Sequence, residues 1–456
     1  MDSTIAKLRT ATTGTPYEGR LFLVGGIVRD KHLAERPDED IDIVLEGDAA
    51  QLADFLHKTG VADHPPVTYP RFGTAMVSVS GRQVELVGAR KESYDRASRK
   101  PATAPGTLLD DVLRRDFTIN TLLENLHTGE ILDLTGQAFA DIDKRIIRTP
   151  LDPHVTFDDD PLRMLRAIRF ATRFGFAIDP ATYTAIRERS HRLSIVSAER
   201  IRAEFSKIVM APSAPTGLEM LRETGLLAQF APELVAMRGV TQNIHHIHDV
   251  WNHTLKTLEL IPADSGIILK LAALLHDVGK PETRSVDEQG TVHFYRHEAV
   301  GAEIARHLMR RLTFANALIS RVAFLISMHL RVGEYDQTWS DAAVRRLIRD
   351  ADDHLDDLVA LTIADKGAAN PATQHVDIDA FRARVRKVHD ELAGQRINSP
   401  LSGREIIDLL GLEPGPQIGA IKEYLESRIV EGSLLAGDKA GAVELLLRKY
   451  GKKSDE

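Results

Sequence analysis

The chain has 456 residues, of which 43% are hydrophobic and 27% charged, and a net charge of −8. These proportions are ordinary for a soluble globular protein, and the length predicts about three domains. The chain has no cysteine, which excludes disulfides and thiolate metal sites, leaves Asp, Glu and His as metal ligands, and fits a reducing cytoplasm. The N-terminus lacks a long apolar core and no run of 18 apolar residues occurs, so neither a signal peptide nor a membrane span is expected.

Residues 1–150 alternate strand-like and helix-like stretches. Strands are predicted at 20–24, 40–45, 74–79 and 83–88, and helices at 27–34, 48–59 and 108–114. The expected unit is an α/β head with a small mixed sheet. Between Arg96 and Gly106, two prolines, several basic residues and no periodicity predict a mobile loop. Beyond about residue 150, apolar positions recur at spacing three and four, which predicts helices almost to the end. Pro212 and Pro215 mark a break, and a His-rich stretch from His245 opens a further helical region. An amphipathic helical segment follows from about 371, broken near Pro400 and Pro414-Gly415-Pro416, and the tail Gly451–Glu456 is expected to be disordered. The resulting segments are 1–150, 151–240, 241–370 and 371–456.

Within the head, Gly25-Gly26-Ile-Val-Arg29-Asp opens a helix directly after an apolar strand. The glycine pair lets backbone approach a ligand closely, a helix N-terminus presents N–H groups to phosphate oxygens, and Arg29 can add a charge-assisted fork. In Asp40-Ile41-Asp42, a strand period of two sends both carboxylates to one face. Two such carboxylates can hold Mg²⁺ while substrate phosphates complete its shell. Further on, Asp160 can cap a helix with Pro161 at its first position and shares a face with Arg163, three residues away. A carboxylate beside a guanidinium offers acceptor and donors to the pairing edge of a base; a capped helix with an internal ion pair is the alternative. Residues 161–210 hold ten Lys/Arg and four acids, a local +6 in an acidic chain, the footprint expected for a nucleic-acid backbone.

Gly-Gly-Ile-Val-Arg-Asp, Asp-Ile-Asp, Arg114-Arg-Asp-Phe-Thr-Ile-Asn120 and Asp159-Asp-Pro-Leu-Arg-Met-Leu-Arg-Ala-Ile-Arg-Phe170 together resemble the successive motifs of the class II nucleotidyltransferases, which comprise CCA-adding tRNA nucleotidyltransferases and poly(A) polymerases. The resemblance implies a polymerase-β-like head and an all-α neck. It implies that Asp40 and Asp42 hold catalytic Mg²⁺, with Glu85 as third carboxylate. Gly25, Gly26, Arg29 and Arg115 would meet the triphosphate, with Asn120 in the same motif, and Asp116 would meet the ribose. Asp160 and Arg163 would serve as a protein template for C or A, with Arg166 and Arg169 nearby. Family members usually begin this last motif with Glu-Asp, whereas here it is Asp159-Asp160. Ala89–Tyr94 and the loop after it resemble the flexible loop that helps switch from C to A addition, and Ser197–Glu204 resembles the last helical motif. The implied partners are tRNA, CTP and ATP.

His253, His276-Asp277 and Asp365 look like the pattern of an HD domain, and His297 and His329 fit the additional positions of its metal-bearing phosphohydrolase versions. Imidazole and carboxylate together can hold one or two divalent ions and activate water. His245, His246 and His248 have no assigned place. Three readings follow. The first is full CCA addition with an appended HD domain. The second is a poly(A) polymerase or a partial C- or A-adding enzyme. The third is a metal phosphohydrolase whose head merely docks RNA.

Overall fold

The computed structural model describes residues 3–33, 40–95, 98–242, 248–335, 338–369, 377–393, 398–430 and 433–450. Two compact units are present, Met1–Val235 with Leu308–Phe314, and Ala236–His307 with Ala315–Glu456.

The first unit begins with α1 (Ser3–Thr12), followed by β1 (Leu21–Val24), α2 (Gly26–His32), β2 (Ile41–Leu45), α3 (Ala49–Lys58) and β3 (Val67–Tyr69). Next come β4 (Thr74–Val79), β5 (Arg82–Gly88), β6 (Arg90–Asp95), β7 (Ser98–Pro105), α4 (Leu108–Leu113), β8 (Leu123–Asn125) and β9 (Ile131–Leu132). Seven strands form one mixed sheet in the order β3-β4-β5-β2-β1-β8-β9. The pairing of β2 with β5 is parallel and the other pairings are antiparallel. Alternation explains the strands: in β4 every second residue is buried, while β1 is apolar and buried throughout. Asp48 caps α3 by accepting the N–H of Ala50 and Gln51, and Thr107 with Asp110 forms a capping box on α4.

Where an irregular loop is expected over Arg96–Gly106, most of the segment is a strand, with Arg96 and Ala97 outside the described residues. Ser98–Pro105 is a strand that pairs antiparallel with Arg90–Asp95, a hairpin apart from the main sheet. Its pairing is set by the partner strand, so Pro101 and Pro105 and the missing alternation concealed it.

Helices follow, including Leu162–Phe174 and Ala198–Met210, and the two-residue strands Ile146–Ile147 and Ala177–Ile178 pair in parallel. Leu162–Phe174 turns Leu165, Ile168 and Ala171 into the core and places its arginines on the less buried side. The break expected at the prolines lies between Met210 and Ala214.

The second unit is mainly helical. Val250–Leu260, Ile267–Leu275, Asn316–Gly333 and Leu355–Ala368 pack side by side, and Ile267–Leu275 is buried over seven of its nine residues. Gly403–Leu410, Pro416–Val430 and Lys439–Tyr450 share a separate core of Leu401, Ile406, Ile421, Leu425, Ile429, Leu434, Ala442 and Leu446. His245, His246 and the tail from Gly451 lie outside the described residues. Among the described residues, no helix is long and apolar enough to cross a membrane.

Candidate active site

The first site is built where β1 ends. Gly25 has φ 79° and ψ −135°, a conformation open to glycine, and its carbonyl accepts the N–H of Arg29 in the first turn of α2. The turn places Gly25 beside Asp42 of β2 and Arg115, which follows α4. A Cβ placed on Gly25 would lie 3.6 Å from Asp42 Oδ2 and 3.9 Å from Arg115 Nη1. Asp42 stands in register with Glu85 on the parallel strand β5, so both half-buried carboxylates share one face of the sheet. Asp40 is exposed just ahead of β2. The oxygens of Asp40, Asp42 and Glu85 are not gathered into a three-ligand group within 4.8 Å; among the described residues, groups that tight occur in the second unit.

Arg115 is anchored by Asp111, a residue the sequence reading did not select. Asp111 is buried on α4; one of its oxygens accepts Arg114 Nε and Nη2 at 3.0 and 2.5 Å, and the other accepts Arg115 Nε and Nη2 at 3.2 and 2.8 Å. Burial favours the neutral carboxyl, but the two guanidinium groups outweigh it and hold the group below the usual carboxylate range.

Asp116 is a buried hub. Its Oδ1 accepts the Phe117 N–H at 2.9 Å and Asn120 Nδ2 at 3.0 Å, and its Oδ2 accepts Arg166 Nε at 2.7 Å with Nη2 at 2.6 Å. Four donors fill the acceptor sites of one carboxylate. Burial opposes the charge, yet Arg166 and Asn120 hold this carboxyl well below its usual value. Arg29, expected at the triphosphate, is buried behind the turn. It donates to Asp30 at 2.6 Å and to Asn120 Oδ1 at 2.6 Å, and lies over the Phe170 and Phe174 rings. Arg169 reaches Glu204 at 3.0 Å, and its burial lowers its pKa to about 10 although Glu204 acts in the opposite sense.

Asp160 Oδ1 accepts the N–H of Leu162 at 3.1 Å, but the helix begins at Leu162 and Pro161 holds the N-cap position, so Asp160 stands one residue ahead of the cap expected of it. The Arg163 N–H donates to the Asp160 carbonyl at 3.0 Å, but the two side chains turn to other partners. Asp160 Oδ2 pairs with Arg200 at 3.1 Å, and Arg163 Nη2 donates to the Arg114 carbonyl at 2.6 Å. Much of the basic stripe is paired within the fold. Arg166, Arg169, Arg173, Arg189, Arg192 and Arg200 all face acids, and Asp30, Asp116, Asp158 and Asp160 come from outside the 161–210 window. A charge sum over a window does not register partners that the fold brings in from elsewhere.

In the second unit, His253, His276, Asp277, His297, His329 and Asp365 converge, all of them buried. His253 Nε2 lies 2.9 Å from Asp365 Oδ1, His276 Nε2 lies 3.2 Å from Asp277 Oδ2, and His297 Nε2 lies 3.4 Å from Asp277 Oδ1. His253–His276–Asp277 and Asp277–His297–His329 each gather three ligand atoms within 4.8 Å, with Asp277 common to both. His276, His297 and His329 each turn Nδ1 to a backbone carbonyl three residues back, at 2.9, 2.9 and 2.7 Å. This fixes Nδ1 as the donor and turns Nε2 toward the centre, the atom through which a metal-ligating imidazole binds once it is unprotonated. His276 Nε2 and His297 Nε2 are buried without a hydrogen bond. These donors fit a divalent cation. Lys280, also missed by sequence reading, brings Nζ to 2.7 Å from Asp277 Oδ2. Burial disfavours a charged His276, but Asp277 and Asp365 outweigh it and raise its pKa to about 10, whereas burial and the neighbouring imidazoles push His329 down to about 3.

The model of the poly A polymerase head domain matches residues 21–148, that described as "Probable RNA and SrmB- binding site of polymerase A" matches 175–237, and that of the HD domain matches 240–369. The chain is 34% identical over 422 residues to an A-adding tRNA nucleotidyltransferase of Deinococcus radiodurans, covering 90% of this chain and 91% of that protein. It is 33% identical over 442 residues to a CC-adding tRNA nucleotidyltransferase of Thermus thermophilus, covering 94% and 93%. The solved CCA-adding enzyme of Bacillus stearothermophilus, in complex with CTP, superposes with a TM-score of 0.69 at 21% identity over 98% of both chains, a likeness of fold.

Proposed function

The chain belongs to the class II CCA-adding tRNA nucleotidyltransferase family, and from that premise we propose that it adds C, C and A in turn to the 3′ end of tRNA, using CTP and ATP and releasing pyrophosphate. One observation carries the placement of the chemistry: the Gly25 turn, Asp42 and Arg115 converge on one point, with Glu85 in register beside Asp42.

The Gly25–Gly26 backbone and Arg115 receive the triphosphate at the start of α2, where N–H groups and guanidinium complement phosphate charge. Asp40, Asp42 and Glu85 offer hard oxygen ligands that suit Mg²⁺, which when bound neutralises phosphate charge and favours ionisation of the attacking 3′-hydroxyl. Arg163, held by the Arg114 carbonyl, and Asp160, held by Arg200, stand at the start of one helix and present donor and acceptor to the pairing edge of the base. A well-aligned pair of this kind is worth about 1–3 kcal/mol of discrimination. Asp116 and Asn120 tie this helix to α2 through Arg166 and Arg29 and so keep the nucleotide's two ends in fixed relation. Catalysis then comes from positioning.

The test replaces Asp40 and Asp42 with alanine, singly, and follows nucleotide incorporation into tRNA lacking its terminal CCA. Loss of incorporation with tRNA binding retained is expected; incorporation that persists in both variants overturns the carboxylate assignment. A second reading concerns the second unit: the inward-facing Nε2 atoms around Asp277 support a divalent-metal site and hydrolysis of a phosphate ester there.

A further inference from the structure

Arg115 has three guanidinium nitrogens, and the fold uses two of them internally. Nε and Nη2 are held by one oxygen of Asp111, and Nη1 faces the Gly25 turn and Asp42. The other oxygen of Asp111 holds Arg114 by the same two-nitrogen fork, and the carbonyl of Arg114 accepts the Arg163 guanidinium at 2.6 Å. One buried carboxylate therefore fixes the arginine at the triphosphate end and the residue that anchors the base-reading arginine.

We propose that Asp111 is the positioning residue of the nucleotide site: it presents Arg115 Nη1 to the triphosphate and, through Arg114, sets Arg163 toward the base. The proposal rests on the reading of Gly25, Asp42 and Arg115 as the triphosphate site. Three features favour it over a merely structural ion pair. Asp111 is wholly buried while both of its partners remain partly open to solvent, with side chains 18% and 16% exposed. Its four accepted hydrogen bonds fill its capacity, so the two forks hold their arginines in one orientation. Two cations about one anion give the cluster a charge of +1, which offsets the Asp42 carboxylate at the same turn and so lowers the repulsion an incoming polyanion meets. Asp111 touches no substrate; it acts through Arg115 and Arg114.

The test is steady-state nucleotide addition by the full chain carrying Asp111→Asn, Asp111→Glu, Arg115→Ala, or Asp111→Asn together with Arg115→Ala. Asp111→Asn keeps the size of the side chain and removes the charge that aligns both forks. The expected result is a rise in KM for CTP of about tenfold, larger than the fall in kcat, which marks lost binding rather than lost chemistry. Asp111→Glu, which keeps the charge, restores part of it. On the Arg115→Ala background, Asp111→Asn adds little further to KM, because the residue through which it acts is gone. An unchanged KM in Asp111→Asn, or effects that multiply in the double variant, overturns the proposal. Unfolding curves recorded on the same samples separate a folding defect from a binding one. Absence of any nucleotide addition by the unaltered chain defeats the underlying reading instead.

Discussion

Replacing Gly25 with alanine separates the cost of backbone conformation from the cost of filling the site. At φ 79° and ψ −135° a side chain is strained wherever its Cβ points, and a residue held in such a region costs about 1–3 kcal/mol. Overlap adds little, since the new methyl would sit 3.6 Å from Asp42 Oδ2 and 3.9 Å from Arg115 Nη1, ordinary contact distances. The loss is a fraction of the roughly 5–15 kcal/mol that stabilises a domain, so the variant folds. The methyl nevertheless stands between the carboxylate and the guanidinium, in the space assigned to phosphate. Urea unfolding should show the 1–3 kcal/mol loss, and the KM for CTP should rise by about tenfold or more. Gly81→Ala is the control: φ is +75° in the turn between β4 and β5, with nothing within 4 Å of the new Cβ. It should cost about 1–2 kcal/mol with KM unchanged. If Gly25→Ala loses stability as the control does but leaves KM intact, the turn is not the phosphate site.

Three other outcomes follow from the same contacts. Glu204→Ala removes the partner of the half-enclosed Arg169, and leaving one side of such a buried pair uncompensated should cost about 3–5 kcal/mol in chemical denaturation. Asp111 and Asp116 have carboxyl pKa values below those of the unfolded chain. Their contribution is therefore complete above pH ~4 and is lost as pH falls below it, so melting temperatures between about pH 6 and 3 should fall less steeply in Asp111→Asn and Asp116→Asn than in the unaltered chain. His276→Ala combined with Asp277→Ala should abolish divalent metal retained after dialysis, measured by elemental analysis, while Asp42→Ala leaves that metal in place.

Local features were legible in the sequence. The strands β1, β2, β4 and β5 show as apolar or alternating runs, and the Gly25-Gly26 turn and the Asp40–Asp42 spacing show as motifs, because period and backbone freedom are properties of a few neighbouring residues. The set of His253, His276, Asp277, His297, His329 and Asp365 was also legible as an ordered pattern, and the fold brings its members together. Partnerships across the chain were not. Glu204 reads as a helix-face residue until Arg169 meets it, whereas Asp111 was overlooked although Arg114 and Arg115 follow it at the helical spacings of three and four. The +6 sum overlooks partners for the same reason, since Asp116 and Asp30, which pair with Arg166 and Arg173, lie far from the stripe in sequence. The β6–β7 hairpin shows the converse case: weak local propensity gives way to pairing supplied by a partner strand.

Sequential addition of C, C and A is tested most directly by sequencing the 3′ ends of tRNA lacking CCA after incubation with CTP, with ATP, and with both. Two added C residues with CTP alone, nothing with ATP alone, and CCA with both is the predicted result. Products ending at CC when both nucleotides are present, addition confined to A on tRNA already ending in CC, or long runs of A would contradict it.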